Sequence, residues 1–120
     1  MERSYFATLL ALIAHQLDAA YWQEWTLFHL PGGIQSYLLF NLLAVPVLLV
    51  GYRHVLLGTA RARLYARICA ALGLATFVIH AGFAIAGERS FHLPLSMAII
   101  VACLLAGIML AWRSRNALTR

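Results

Sequence analysis

Four apolar stretches occupy most of the chain, at about residues 5–25, 34–51, 64–86 and 93–112. Each is near the ~20 residues that an α-helix needs to cross ~30 Å of hydrocarbon. Lipid offers no water to satisfy a peptide group, so a crossing segment must close its hydrogen bonds within itself, and it becomes a helix. The second stretch is the shortest. The gaps hold residues that stop helices: Pro31, Gly32 and Gly33, then Gly58, then Gly87. The reading is an all-α protein with one integral membrane domain over residues 1–120, a four-transmembrane-helix bundle without a separate soluble part, linker or low-complexity tail.

The balance of residues agrees: 63% are hydrophobic and 11% charged, and the mean hydropathy is +0.83, too apolar for a soluble domain of 120 residues that must keep a polar skin. The net charge of +5 would suit nucleic acid if the basic groups formed one patch on a polar surface. All nine are arginine, they sit between apolar runs, and no aromatic residues interleave with them in the sheet or loop pattern that RNA-binding surfaces need, so nucleic-acid binding is excluded. Cys69 and Cys103 both fall in apolar stretches with no CxxC partner and read as packing residues.

Arginine placement predicts orientation, because positive side chains near helix ends are retained on the cytoplasmic side. Arg3, Arg53, Arg61, Arg63, Arg67, Arg113, Arg115 and Arg120 fall on one side and Arg89 alone on the other. Both termini are therefore expected in the cytoplasm, which an even number of spans requires. Arg3, an apolar run and the small pair Ala19 and Ala20 resemble a cleaved signal peptide. Against that stand His15, Gln16 and Asp18, and the interface aromatics Trp22, Trp25 and Trp112, which mark retained helices. Small residues at helical spacing, Ala98, Ala102 and Ala106 in the fourth stretch and Ala66, Ala70 and Gly73 in the third, are expected to let helices approach closely. The same stripes could seat the chain in a homo-oligomer or a larger membrane complex.

Function is sought among the groups that lipid rejects, since ionisable side chains at this depth face the bundle interior and often mark a working site. Counting the ~1.5 Å helical rise inward from the outer ends puts Asp18, Asn41 and His80 in one layer, each ~10 Å deep. His15 lies one turn deeper than Asp18 on the same face. Glu24, Glu88, Arg89 and His92 belong to the outer rim, and His92 is placed to cover the layer. The expected pocket, opening outward, is His15, Asp18, Glu24, Asn41, His80 and His92. A His and a carboxylate three residues apart, facing a second His, resemble the way bundles hold zinc, manganese or iron. His15, Asp18 and His80 are the expected metal ligands. The plainer reading is that Asp18 and His80 hydrogen-bond across the bundle and fix its register. A third is proton-linked movement of a solute through an oligomeric transporter or channel, using a His beside a carboxylate. Pro46 frees the carbonyl of Leu42 and is expected to bend the second helix near Asn41. The aromatic segment 22–33 reads as an interfacial hairpin, with a lid that points Glu24 inward as the alternative. His29 and His54 read as solvated or headgroup-level residues. The arginine-rich second connection reads as a cytoplasmic anchor for anionic lipid. No nucleophile elbow, phosphate-cradling glycine loop or haem-attachment motif occurs, so the sequence names no reaction.

The run His15, Gln16, Leu17, Asp18 through Trp22, Gln23, Glu24 and Trp25, followed by Pro31, Gly32 and Gly33, resembles a family of small bacterial membrane proteins. Its members are about this long, with four predicted spans, an H-x-x-[DE] motif in the first helix and no assigned activity. More distantly it is similar to membrane families named for a His-x-x-Glu-Glu motif, but Asp18 and Ala19 stand where those carry two glutamates. The first resemblance implies a bacterial inner membrane and matches His15, Asp18 and Glu24; it implies no substrate.

Overall fold

A computed structural model describes residues 1–117 as five helices: α1 Glu2–Tyr21, α2 Glu24–Leu27, α3 Ile34–Leu56, α4 Ala62–Ile85 and α5 Pro94–Asn116. No strand occurs among the described residues. Three helices, α3, α4 and α5, are long and apolar enough to cross a membrane. α1 falls short of that apolarity because His15, Gln16 and Asp18 occupy its second half. Arg120, counted with the cytoplasmic arginines, lies outside the described residues.

Two helix boundaries differ from the sequence reading. The first apolar stretch does not continue to Trp25: α1 ends at Tyr21, Gln23 takes a left-handed conformation (φ 53°), and residues 24–27 form a separate single turn. The second stretch does not stop at Gly51 but runs to Leu56. Pro46 lies inside α3, which passes through it as one helix despite the missing N–H.

Buried positions follow spacings of three and four along the long helices. In α1 they include Tyr5, Thr8, Leu12, His15 and Ala19; in α5 they are Ser96, Ile100, Cys103, Gly107, Leu110 and Ser114. This is the repeat of a helical seam, yet its chemistry is inverted relative to a soluble bundle. Ser4, Thr8, Ser96 and Ser114 are inside, while Leu42, Val78, Leu95 and Leu105 are exposed. Large apolar side chains gain nothing by leaving lipid, so the seam is marked by small residues that permit close packing.

The contact between α4 and α5 shows how tight that packing is. A Cβ on Gly73 would stand 2.8 Å from the Cys103 carbonyl oxygen, and one on Gly107 3.2 Å from the Ala70 carbonyl oxygen. Ala66, Ala70 and Gly73 are buried. In α5, however, Ala98 and Ala102 are exposed and Ala106 is only half-buried. The small residues at the seam are Cys103 and Gly107 instead.

α1 packs on α3, α4 and α5, and α4 on α1, α3 and α5; α3 and α5 do not touch among the described residues. α1 and α4 therefore form the short diagonal and α3 stands at a far corner. α3 is tied down at the end carrying the arginines. There the Tyr5 hydroxyl donates to the Leu48 carbonyl at 2.7 Å, and a Cβ on Gly51 would collide with Tyr5 and Tyr65. His54, rather than being merely solvated, stacks on Tyr65 at 5.0 Å and bonds Thr59 Oγ1 at 2.7 Å. At the opposite end Tyr37 reaches Gln16 of α1, its hydroxyl 3.1 Å from Oε1. Between Tyr37 and Leu48 no residue of α3 is buried, nor any of α4 between Gly73 and His80. The two helices part there and leave a cavity.

Candidate functional site

His15 and His80 face one another across the α1–α4 diagonal, ring centroids 4.5 Å apart and edge to face at 83°. Both are buried. The left-handed turn at Gln23 brings the short helix α2 back over them and points Glu24 inward, so the segment acts as the lid considered above. Glu24 Oε2 lies 3.5 Å from His15 Nε2, and Glu24 Oε1 lies 3.9 Å from His80 Nε2. One donor atom from each residue falls within 4.8 Å of the others.

The orientation of His80 is set from behind. Its Nδ1 is 2.8 Å from the Thr76 carbonyl, one turn back on α4. A carbonyl only accepts, so the proton sits on Nδ1 and Nε2 presents a lone pair toward Glu24. That Nε2, together with Glu24 Oε2 and His15 Nδ1, has no hydrogen-bond partner. Two unpartnered acceptors, His80 Nε2 and Glu24 Oε2, thus converge beside His15, whose neutral ring carries one N–H and one lone pair.

Asp18 is not in this cluster. Its Oδ1 accepts from Trp22 Nε1 at 3.1 Å and from Ser96 Oγ at 3.0 Å, which joins α1 to α5. The three-residue step from His15 turns its carboxylate toward α5, whereas the lid lays Glu24 over the histidines. Glu24 therefore stands where the sequence reading put Asp18. Asn41 lines the cavity but spends its Nδ2 on the Tyr37 carbonyl of its own helix, at 2.9 Å. His92 is exposed, its Nδ1 3.1 Å from the Ser90 carbonyl, and does not cover the layer.

The cover is its neighbour Phe91, which sequence reasoning did not single out. In a left-handed conformation (φ 67°), it turns inward and is buried. Its ring sits 4.5 Å from that of His80 and 5.7 Å from that of His15. The turn that presents it is organised by Glu88. One carboxylate oxygen accepts from the Arg89 amide, the Ser90 amide and the Ser90 hydroxyl at 2.9–3.1 Å. The Ser90 bonds above all hold the Glu88 carboxyl below the usual carboxylate range. An aromatic residue in a short connection carries no periodic signal, so only the path of the chain exposes this role. Trp25 and Tyr37, 5.3 Å apart, close the other side.

The cavity beside the cluster measures about 340 Å³ and lies between α1, α3 and α4 beneath α2. His15, Glu24 and His80 line one end; Leu12, Val45 and Leu48 are among the apolar residues of the rest. Its mouth is lateral: Phe40, Leu72, Ala75 and Ile79 line it and are exposed.

The model of a family of unknown function, DUF6713, matches residues 1–117. The chain belongs to that family. This agrees with the resemblance to an uncharacterised family noted from the sequence. No curated protein and no solved structure matches the chain.

Proposed function

We propose that the protein is a four-span membrane protein that binds a divalent transition metal through His15, Glu24 and His80. The observation that carries this is the Nδ1 bond of His80 to the Thr76 carbonyl. Metal-binding histidines commonly donate their second ring N–H to a carbonyl or carboxylate, which fixes the tautomer and aims the free nitrogen. Bond lengths of ~2.0–2.2 Å around a tetrahedral ion place ligand atoms about 3.4 Å apart. His15 Nε2 lies 3.5 Å from Glu24 Oε2 and His80 Nε2 lies 3.9 Å from Glu24 Oε1; with one donor atom from each residue within 4.8 Å of the others, the three side chains would draw together around an ion. Two histidines and one carboxylate suit zinc, manganese or iron. Three protein ligands would leave a coordination position open, as in reactive rather than purely structural sites. When bound, such an ion supplies Lewis acidity; the residues hold it, and Phe91 with the α2 lid keeps bulk water away.

The direction of its polar side chains supports counting α1 as the fourth span. Its polar groups turn inward to His80, Glu24, Ser96 and Tyr37, and the longest dimension of the molecule is 45 Å, close to the ~40–45 Å of a bilayer with its headgroups. With Arg3, Arg53, Arg61, Arg63 and Arg67 gathered at one end, the termini face the cytoplasm of a bacterial inner membrane and α2 faces outward.

Elemental analysis of protein purified in detergent tests the site. Wild type is expected to carry about one ion per chain, and a His15→Ala, Glu24→Ala, His80→Ala variant none. Wild type free of metal after growth and reconstitution with zinc, manganese and iron would sink the reading.

A further inference from the structure

We propose that the cavity takes the chain of a long-chain fatty acid from the bilayer, with its carboxylate at the ion held by His15, Glu24 and His80. The polar end of this inference rests on the metal reading above; its apolar end rests on the cavity alone.

Three observations select the occupant. First, the mouth lies between α3 and α4, where exposed Phe40, Leu72, Ala75 and Ile79 line it, and these helices are long and apolar enough to be flanked by lipid. A ligand arriving there comes from hydrocarbon. Second, the volume of about 340 Å³ falls in the ~300–1,000 Å³ range of small-molecule sites, whereas a helix of a second copy is ~10–12 Å across with its side chains. Apolar cavities of this kind stay dry, so an alkyl chain is the natural filling. Third, the unpartnered polar atoms lie at the end under α2, where His80 Nε2, Glu24 Oε2 and His15 Nδ1 lack partners and the two histidine side chains are only 4% and 5% exposed. Asn41 and Thr76, which also line the cavity, are instead bonded to carbonyls of their own helices.

Charge then chooses the head. A divalent ion with one glutamate and two neutral histidines leaves one positive charge buried. An uncompensated charge in a low-dielectric site is costly, and a carboxylate in the open position neutralises it. An alcohol would leave it in place.

The test uses full-length, zinc-loaded protein in nanodiscs, with Trp22→Phe and Trp112→Phe so that Trp25, which lines the cavity, is the sole reporter. Octadecanoic acid brominated at mid-chain is added and Trp25 fluorescence followed. The expected result is saturable quenching above the linear background of the bilayer. Ala44→Phe and Ala75→Leu, which fill the wall and the mouth, should each raise the half-saturating mole fraction at least about tenfold while retaining one zinc per chain. Two variants guard against one failing to fold.

Quenching that is linear and identical in zinc-loaded wild type and both filled variants would overturn the proposal. So would equal saturation by brominated octadecanol, which removes the carboxylate from the argument, or by brominated phospholipid, which removes the single chain. A dimer that dissociates in Ala44→Phe would assign the cavity to a second copy and overturn it likewise. Absence of zinc from wild type, by contrast, is a failure of the metal reading and is seen in the elemental analysis before any fatty acid is added.

Discussion

Asp18 and Glu24 differ in what their surroundings ask of them. Asp18 has two donors, Trp22 and Ser96, within 3.1 Å; Glu24 has none, only two imidazoles. A carboxylate already held by two donors across the bundle is a structural tie, and one that faces two imidazoles without a hydrogen bond is placed to take a cation. Glu24→Gln is therefore expected to weaken metal binding by more than about 10–100-fold, the loss typical of groups that merely support a ligand. Asp18→Asn, whose amide oxygen can still accept both bonds, should leave it unchanged. Competition with a chromogenic chelator measures both, and the reverse order would return Asp18 to the ligand set. His15 and His80 were legible as buried polar groups on two helices. Glu24 was legible only as an alternative, because its direction depends on the left-handed turn at Gln23, which a glutamine does not announce.

Among the elements, small residues decide the approach of helices, and the glycines separate by what lies opposite them. Gly73 is faced by backbone at 2.8 Å, Gly82 by nothing within 4 Å. Gly73→Ala should force α4 and α5 apart and cost roughly 1–3 kcal/mol. Gly82→Ala, in an open helical position, should stabilise by up to about 1 kcal/mol. Thermal unfolding in detergent followed by circular dichroism compares them, and equal shifts would show that the α4–α5 seam is not tightly packed. The existence of the long helices was readable from apolar length. Which stripe of α5 faces inward was not: Ala98, Ala102 and Ala106 are as small as Cys103 and Gly107, and with lipid outside, both faces are apolar.

For the whole molecule, arginines gather at one end and the cluster of His15, Glu24 and His80 lies at the other. If the positive end stays inside, a phosphatase fused at the carboxyl terminus is inactive in a bacterial host and a fluorescent protein fused there is bright. A cysteine placed at Glu88 is then labelled by an impermeant maleimide from the periplasm. Labelling only after lysis would invert the bundle, putting the α2 lid and Glu24 on the cytoplasmic side.

Sequence alone determined that the chain is helical and carries segments long and apolar enough to cross a membrane, because a crossing segment must satisfy every peptide group within itself. It also marked His15, Asp18, Asn41 and His80 as groups in need of company, with Glu24 and His92 at their rim. Tertiary structure decided which of them meet: how α2 folds back, how Phe91 turns in, and how α3 leans from α4 to open a cavity. Those outcomes depend on backbone turns and helix rotations, set by contacts between residues far apart in the chain.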